Sequence, residues 1–191
     1  MKICGITSPG DAVMADRAGA DAIGVVMFSD SPRSVDCETA EEIFNAVGPY
    51  IARVCVSHTG SLGDIEAMLD LNPDVIQVSS PLNLPQPFPA RLIRVVALGE
   101  ALPIDADAIL VDGSAGKGLL YDEEYASRMV RESRVPVILA GGLNPGNVAH
   151  AIRLVRPYGV DVATGVEDSP GVKNEQKVRE FVRIAKGAVY D

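Results

Sequence analysis

Short apolar runs, each about the length of a buried strand, recur at Lys2 to Cys4, Ala22 to Met27, Ile51 to Val56, Asp74 to Val78, Leu92 to Ala97, Ala108 to Val111, Pro136 to Ala140 and Val160 to Ala163. Between most of them apolar residues return with a helical period. Ala40, Ile43, Phe44 and Val47 share one face, as do Ile65, Met68 and Leu69, then Val148, Ile152 and Val155, and finally Val178, Phe181, Val182 and Ala185. Ser8 with Pro9 behind it, Asp36, Ser61, Asn144 and Asn174 are placed to start helices. Pro145 stands at a first helical position, and Gly19 and Gly187 can close helices. Nearly continuous apolar strands alternating with helices indicate a parallel sheet covered on its outer face. Eight such units predict a closed (β/α)8 TIM barrel of the α/β class, with residues 1–191 as a single domain. The competing open doubly wound sheet usually carries G-x-G-x-x-G after its first strand, and this chain has none there.

Two connections break the pattern. Pro81, Pro85, Pro87 and Pro89 exclude a full helix between the fourth and fifth runs, since each proline inside a helix costs about 3 kcal/mol. Gly99 to Asp107 is too short for a helix with two loops, which predicts a fifth helix reduced to a turn. Both economies let eight units fit 191 residues, slightly below the usual size of such barrels.

A domain of this length buries roughly 70 % of the surface its unfolded chain exposes, so it needs no staples. A net charge of −9 without any Lys/Arg run leaves no footprint for nucleic acid or an anionic membrane, and no apolar run approaches the ~20 residues that span a bilayer. Any anionic ligand must be held by local groups. Cys4, Cys37 and Cys55 show no C-x-x-C pairing and cannot all be bridged, which fits a reducing cytoplasm and disfavours zinc. No basic segment with a long apolar stretch behind it opens the chain, so a cytoplasmic location is expected. Monomer and homodimer both remain open, because a barrel needs its apolar residues for its own core.

Candidate chemistry gathers where the runs end. The first run stops at Cys4-Gly5 and the sixth at Asp112-Gly113, which puts a thiol and a carboxylate at the carboxyl ends of parallel strands, where barrels build their sites. A free cysteine most often packs as a small hydrophobe. Lys2 changes that reading, because alternation along a strand puts it on the same face as Cys4, where its charge would draw the thiol toward the thiolate. A buried lysine needs a partner, and Asp161, alone in the apolar stretch Gly159-Val160-Asp161-Val162, is the expected one. Cys37 and Cys55 read as helix-start and core residues. Glycines occupy three strand exits: Gly113 to Gly118, Gly141-Gly142 and Gly165 beside Thr164. There backbone N–H groups can approach phosphate oxygens, and the exits of strands seven and eight are the usual phosphate site. The run around Lys117 does not meet the spacing of a nucleotide-binding P-loop. Ser31-Pro32-Arg33 holds an arginine at the rim, able to grip a carboxylate bidentately. Neither His58 nor His150 forms a convincing Cys-His dyad, so proton transfer is favoured over nucleophilic thiol catalysis.

Taken together, Lys2-Ile3-Cys4-Gly5-Ile6-Thr7, Gly19 to Gly24, Ser31-Pro32-Arg33, Asp112, Ala140 to Pro145, Gly159 to Glu167 and Ser169 to Lys173 resemble the phosphoribosylanthranilate isomerases of tryptophan biosynthesis, nearly end to end. The resemblance implies a (β/α)8 barrel and conversion of N-(5-phosphoribosyl)anthranilate to 1-(2-carboxyphenylamino)-1-deoxyribulose 5-phosphate. It implies no metal or organic cofactor, and a small phosphorylated molecule as substrate. It assigns Asp112 as general acid at the furanose oxygen and Cys4 as general base at the sugar C2. Arg33 would hold the anthranilate carboxylate. Gly141, Gly142, Thr164 and Gly165 would hold the phosphate, and Asp161 would orient the amine or the acid–base pair.

The chain departs from the family pattern in three places. Ser79 follows Gln77-Val78 where a histidine is common, with His58 a candidate to compensate. Ala115-Gly116-Lys117-Gly118 replaces Gly-Gly-Thr-Gly, and Ala163-Thr164 replaces Ser-Ser. Two rivals differ in what they need. A histidine-pathway aldose–ketose isomerase works with two aspartates, and a non-catalytic barrel that binds a phosphorylated metabolite has no use for Cys4 with Asp112.

Overall fold

Each apolar run forms a parallel strand whose ends fall within a residue of those read from the sequence. They are β1 (Lys2–Cys4), β2 (Ala22–Val26), β3 (Ala52–Ser57), β4 (Val75–Val78), β5 (Arg91–Val96), β6 (Ala108–Asp112), β7 (Val137–Ala140) and β8 (Gly159–Val162). The strands close in chain order into a barrel, the seam made by β1 on β8 with Lys2 opposite Asp161. This is a computed structural model, describing residues 1–188 except 81, 86, 98, 101 and 113–120.

Strand alternation sorts the side chains into two cores. Ile3, Ile23, Val25, Cys55, Ile76, Leu92, Ile109, Leu139 and Val160 point outward into one continuous layer beneath the helices. Fully burying an aliphatic side chain of this kind contributes roughly 1.5–3 kcal/mol, so this layer dominates stability. The barrel interior holds Cys4, Val26, Val54 and Val56 in one cluster and Ile93, Leu110 and Ala140 in another.

The helices are α1 (Pro9–Ala18), α2 (Cys37–Asn45), α3 (Leu62–Asp70), α4 (Glu123–Glu132), α5 (Val148–Val155) and α6 (Glu175–Gly187). Ser8, Asp36, Ser61 and Asn174 accept the expected capping bonds, and Gly19 ends α1 in the left-handed conformation at φ 90°. The start of α5 differs from the reading. Asn144 and Pro145 make a turn instead, with Asn144 Oδ1 accepting from Gly146 N and Asn147 Oδ1 accepting from Asn144 N, and the helix begins at Val148.

Among the described residues neither β4–β5 nor β5–β6 is joined by a helix. The proline-bearing strap lies over the gap, with Leu84 buried. The outward-facing Arg94 of β5 stitches the strap down, donating to the carbonyls of Ser80 and Leu82 at 3.0 and 2.6 Å and to Asp105 at 2.6 Å. After β8 a single 3-10 turn (Thr164–Val166) leads into a hairpin of β9 (Glu167–Ser169) and β10 (Val172–Lys173). Gly171 supplies the positive φ of 86° that its turn needs, and its carbonyl accepts from Thr7 Oγ1, docking the hairpin on the loop after β1. No helix among the described residues is long and apolar enough to cross a membrane.

Candidate active site

A cavity of about 490 Å³ opens at the carboxyl ends of the strands. Cys4, Arg33, Asp112, Gly141, Gly142, Asp161, Thr164 and Gly165, separated by up to 161 positions in the chain, all line it. Cys4 and Asp112 enter from β1 and β6, and the glycine exits of β7 and β8 lie between them along the wall. The Gly113 to Gly118 run with Lys117 lies outside the described residues.

Below the rim, two residues down β1 on the same face, the Lys2 ammonium is buried against three acceptors. These are Gln77 Oε1 at 2.9 Å, Asp161 Oδ2 at 3.2 Å and Cys4 Sγ at 3.3 Å. Burial works against the Lys2 charge, but Asp161 and Cys4 outweigh it and hold the ammonium above its ordinary value. The expectation that Lys2 would bring the thiol below its ordinary value is corrected here. Burial is the larger effect and pushes the Cys4 thiol up, with Lys2 opposing it. The other oxygen, Asp161 Oδ1, is buried without a hydrogen-bond partner among the described residues, in a residue that faces the cavity. An unsatisfied buried acceptor costs roughly 1–3 kcal/mol, so this atom is set to receive a donor from a bound molecule.

Arg33 reaches the rim across Gly5, where a Cβ would come within 2.6 Å of Arg33 Cδ and φ is +71°, so only glycine suits the crossing. Its Nε and Nη2 donate to the two Glu167 oxygens at 2.9 and 2.7 Å, and Nη2 lies 3.4 Å from Thr164 Oγ1. Lys173 Nζ, fully buried, donates to Glu167 Oε1 at 2.7 Å. Burial alone would raise the Glu167 carboxyl; Arg33 and Lys173 together hold it below its ordinary value. In this cluster two cations meet one carboxylate, in a chain whose overall charge is −9.

The β7 exit is fixed by its own turn. Gly141 and Gly142 have φ of 97° and 63°, and the Gly142 carbonyl accepts from Asn147 Nδ2 at 2.9 Å. At the β8 exit a Cβ on Gly165 would lie 1.9 Å from the Leu143 carbonyl oxygen, so the two exits touch backbone to backbone. Such close, side-chain-free backbone suits a phosphate group. At the far wall His58 Nδ1 lies 2.6 Å from Ser79 Oγ and both line the cavity, which puts an imidazole beside the position where the family histidine is replaced.

Sequence reasoning gave no role to Glu167, Lys173 or Gln77. Gln77 carried a usable signal, since a polar residue within an apolar strand calls for a buried partner. The partnership of Glu167 with Arg33 spans 134 positions and depends on the hairpin, which the runs alone do not reveal.

The family model for N-(5'phosphoribosyl)anthranilate (PRA) isomerase matches residues 1–184. The chain is 51% identical to the N-(5'-phosphoribosyl)anthranilate isomerase of Methanoregula boonei over 98% of its length and 97% of the relative's. Its structure is similar to the crystal structure of TrpF from Jonesia denitrificans, with a TM-score of 0.85 and 32% identity over 98% and 96% of the two chains. It is also similar to a phosphoribosyl anthranilate isomerase solved in complex with reduced 1-(o-carboxyphenylamino)-1-deoxyribulose 5-phosphate, with a TM-score of 0.79 and 29% identity over 97% of both chains.

Proposed function

The chain belongs to the N-(5'-phosphoribosyl)anthranilate isomerase family of tryptophan biosynthesis, and from that premise we propose that it performs the family's rearrangement with Asp112 as acid and Cys4 as base. Asp112 gives a proton to the furanose ring oxygen as the C1–O bond breaks, and the amine lone pair forms the C1=N bond of a protonated Schiff base. That cation is an electron sink for the adjacent C–H bond. The Cys4 thiolate takes the C2 proton, the C–H electrons form C1=C2, and the iminium pair returns to nitrogen, giving an enolamine. Its C2 hydroxyl loses a proton as C1 gains one, which yields the ketone. The whole is an internal oxidation–reduction with no net loss of atoms, and it needs no cofactor.

One observation supports this reading above the rest: acid and base face one cavity from β6 and β1, with the glycine exits of β7 and β8 between them. The phosphate seats on backbone around Gly141, Gly142, Thr164 and Gly165. Arg33, held in plane by Glu167, faces the anthranilate carboxylate, and Asp161 Oδ1 accepts from the anthranilate amine or a sugar hydroxyl. A phosphorylated metabolite and three free thiols fit work in a reducing cytoplasm.

Loss of substrate fluorescence follows turnover. Cys4→Ser and Asp112→Asn are each expected to lower kcat by about 10²- to 10⁴-fold while substrate still binds. Normal turnover in both variants would remove the mechanism, and tight binding without turnover by the unaltered protein would point to a scaffold.

A further inference from the structure

We propose that Lys2 is the positioning residue that keeps Cys4 competent as a base, a buried ammonium that donates to Cys4 Sγ and Gln77 Oε1 and is ion-paired with Asp161 Oδ2. The inference deepens the reading of Cys4 as base and rests on it. An ammonium has three donors and no acceptor. Here two of them donate to Cys4 Sγ at 3.3 Å and Gln77 Oε1 at 2.9 Å, and Asp161 Oδ2 lies 3.2 Å away as the ion-pair partner, so the ammonium is held on the sulfur's side as well as the carboxylate's. A lysine needed only to neutralise Asp161 would not have to meet the sulfur at all.

The space around the pair points the same way. Gly24 of β2 lies beside them, and a Cβ there would come within 2.9 Å of Cys4 Sγ and 3.1 Å of Lys2 Nζ, so the wall is cut back to let ammonium and sulfur approach. Burial lowers the local dielectric and makes the pair's attraction stronger than it would be in water. The other charged groups bearing on the sulfur are Lys173 from β10 and Arg33 from the loop after β2, both cationic, and Asp161 from β8, with Asp112 of β6 acting on Asp161. Lys2 opposes the penalty of burying a thiolate, and Asp161 adds to it. When the sulfur takes a proton its charge vanishes, yet Gln77 and Asp161 still hold the ammonium, so the base is reset without moving its counterion.

The opposite signs of Lys2 and Asp161 make the test. The pH dependence of Cys4 alkylation is measured on the free enzyme by mass spectrometry of the Cys4 peptide, which keeps Cys37 and Cys55 out of the readout. Lys2→Met is expected to move the thiol titration up by about 1–3 pH units, the range for losing an adjacent opposite charge. Asp161→Asn is expected to move it down. No shift, or a downward shift, in Lys2→Met overturns the proposal. If Lys2→Met does not fold, Lys2→Gln, which keeps a donor and removes the charge, decides: a raised thiol titration supports the proposal, and an unchanged or lowered one overturns it. Turnover in Cys4→Ser is a separate outcome; it would remove the sulfur as base while the alkylation profile still reports whether Lys2 controls it.

Discussion

Replacing Gly165 by alanine tests whether the β7 and β8 exits act as one phosphate seat. The added methyl would lie 1.9 Å from the Leu143 carbonyl oxygen and 2.9 Å from Asn144 Cβ. Ordinary contact begins at 3.4 Å, so the Gly165 and Leu143 backbones must part by about 1.5 Å. Neither is the free end of a side chain. The Leu143 side chain is buried in the core, and the neighbouring Gly142 carbonyl is held by Asn147. A displacement of about 1 Å near a reacting group costs on the order of 10²-fold in rate. The expected result is a fall in kcat/KM of about that size, carried mainly by KM because the phosphate anchor moves while Cys4 and Asp112 stay. Steady-state kinetics by substrate fluorescence reads it, with Gly187→Ala as control, since a Cβ there meets nothing within 4 Å. An unchanged KM in Gly165→Ala, with the fold intact by circular dichroism, would refute the shared seat.

Two further outcomes follow from buried contacts. Glu167→Gln leaves Lys173 buried beside an uncharged partner and frees Arg33, at a cost of roughly 3–5 kcal/mol in urea unfolding at neutral pH. Because the native Glu167 carboxyl is held below its ordinary value, that contribution is complete above the ordinary glutamate range and is lost as pH falls through the lowered value, so the gap between variant and parent should close on acidification. Gly24→Ala crowds Cys4 and Lys2 without reaching the phosphate exits, and is expected to lower kcat roughly tenfold with KM little changed; a KM effect alone would contradict that placement.

The barrel was legible because short, nearly continuous apolar runs of strands buried on both faces and period-3.6 helices leave different marks, and β1 to β8 carried theirs cleanly. Elements whose stability comes from elsewhere were not. Helix α4 buries only Tyr125, Ala126 and Met129 in an otherwise charged segment, so its apolar stripe is thin. The β9–β10 hairpin is short, and what fixes it is the buried Lys173–Glu167–Arg33 chain and the Thr7 bond, all contacts between distant residues. That Cys4, Asp112 and Arg33 line one cavity was legible because strand ends and a stiffened loop reveal where side chains emerge. The balance at the sulfur could not, since Lys2 at i−2 is visible in sequence while the depth of burial that outweighs it is a property of the closed barrel.

In the proposed mechanism acid and base address opposite sides of one sugar from β6 and β1. A crystal structure of this protein with reduced 1-(o-carboxyphenylamino)-1-deoxyribulose 5-phosphate tests it directly. The phosphate is expected on the backbone of Gly141, Gly142, Thr164 and Gly165, the aromatic carboxylate facing Arg33, and the sugar chain between Cys4 Sγ and the Asp112 carboxylate. A reversed ligand, or a sugar with both groups on the same side, would contradict it.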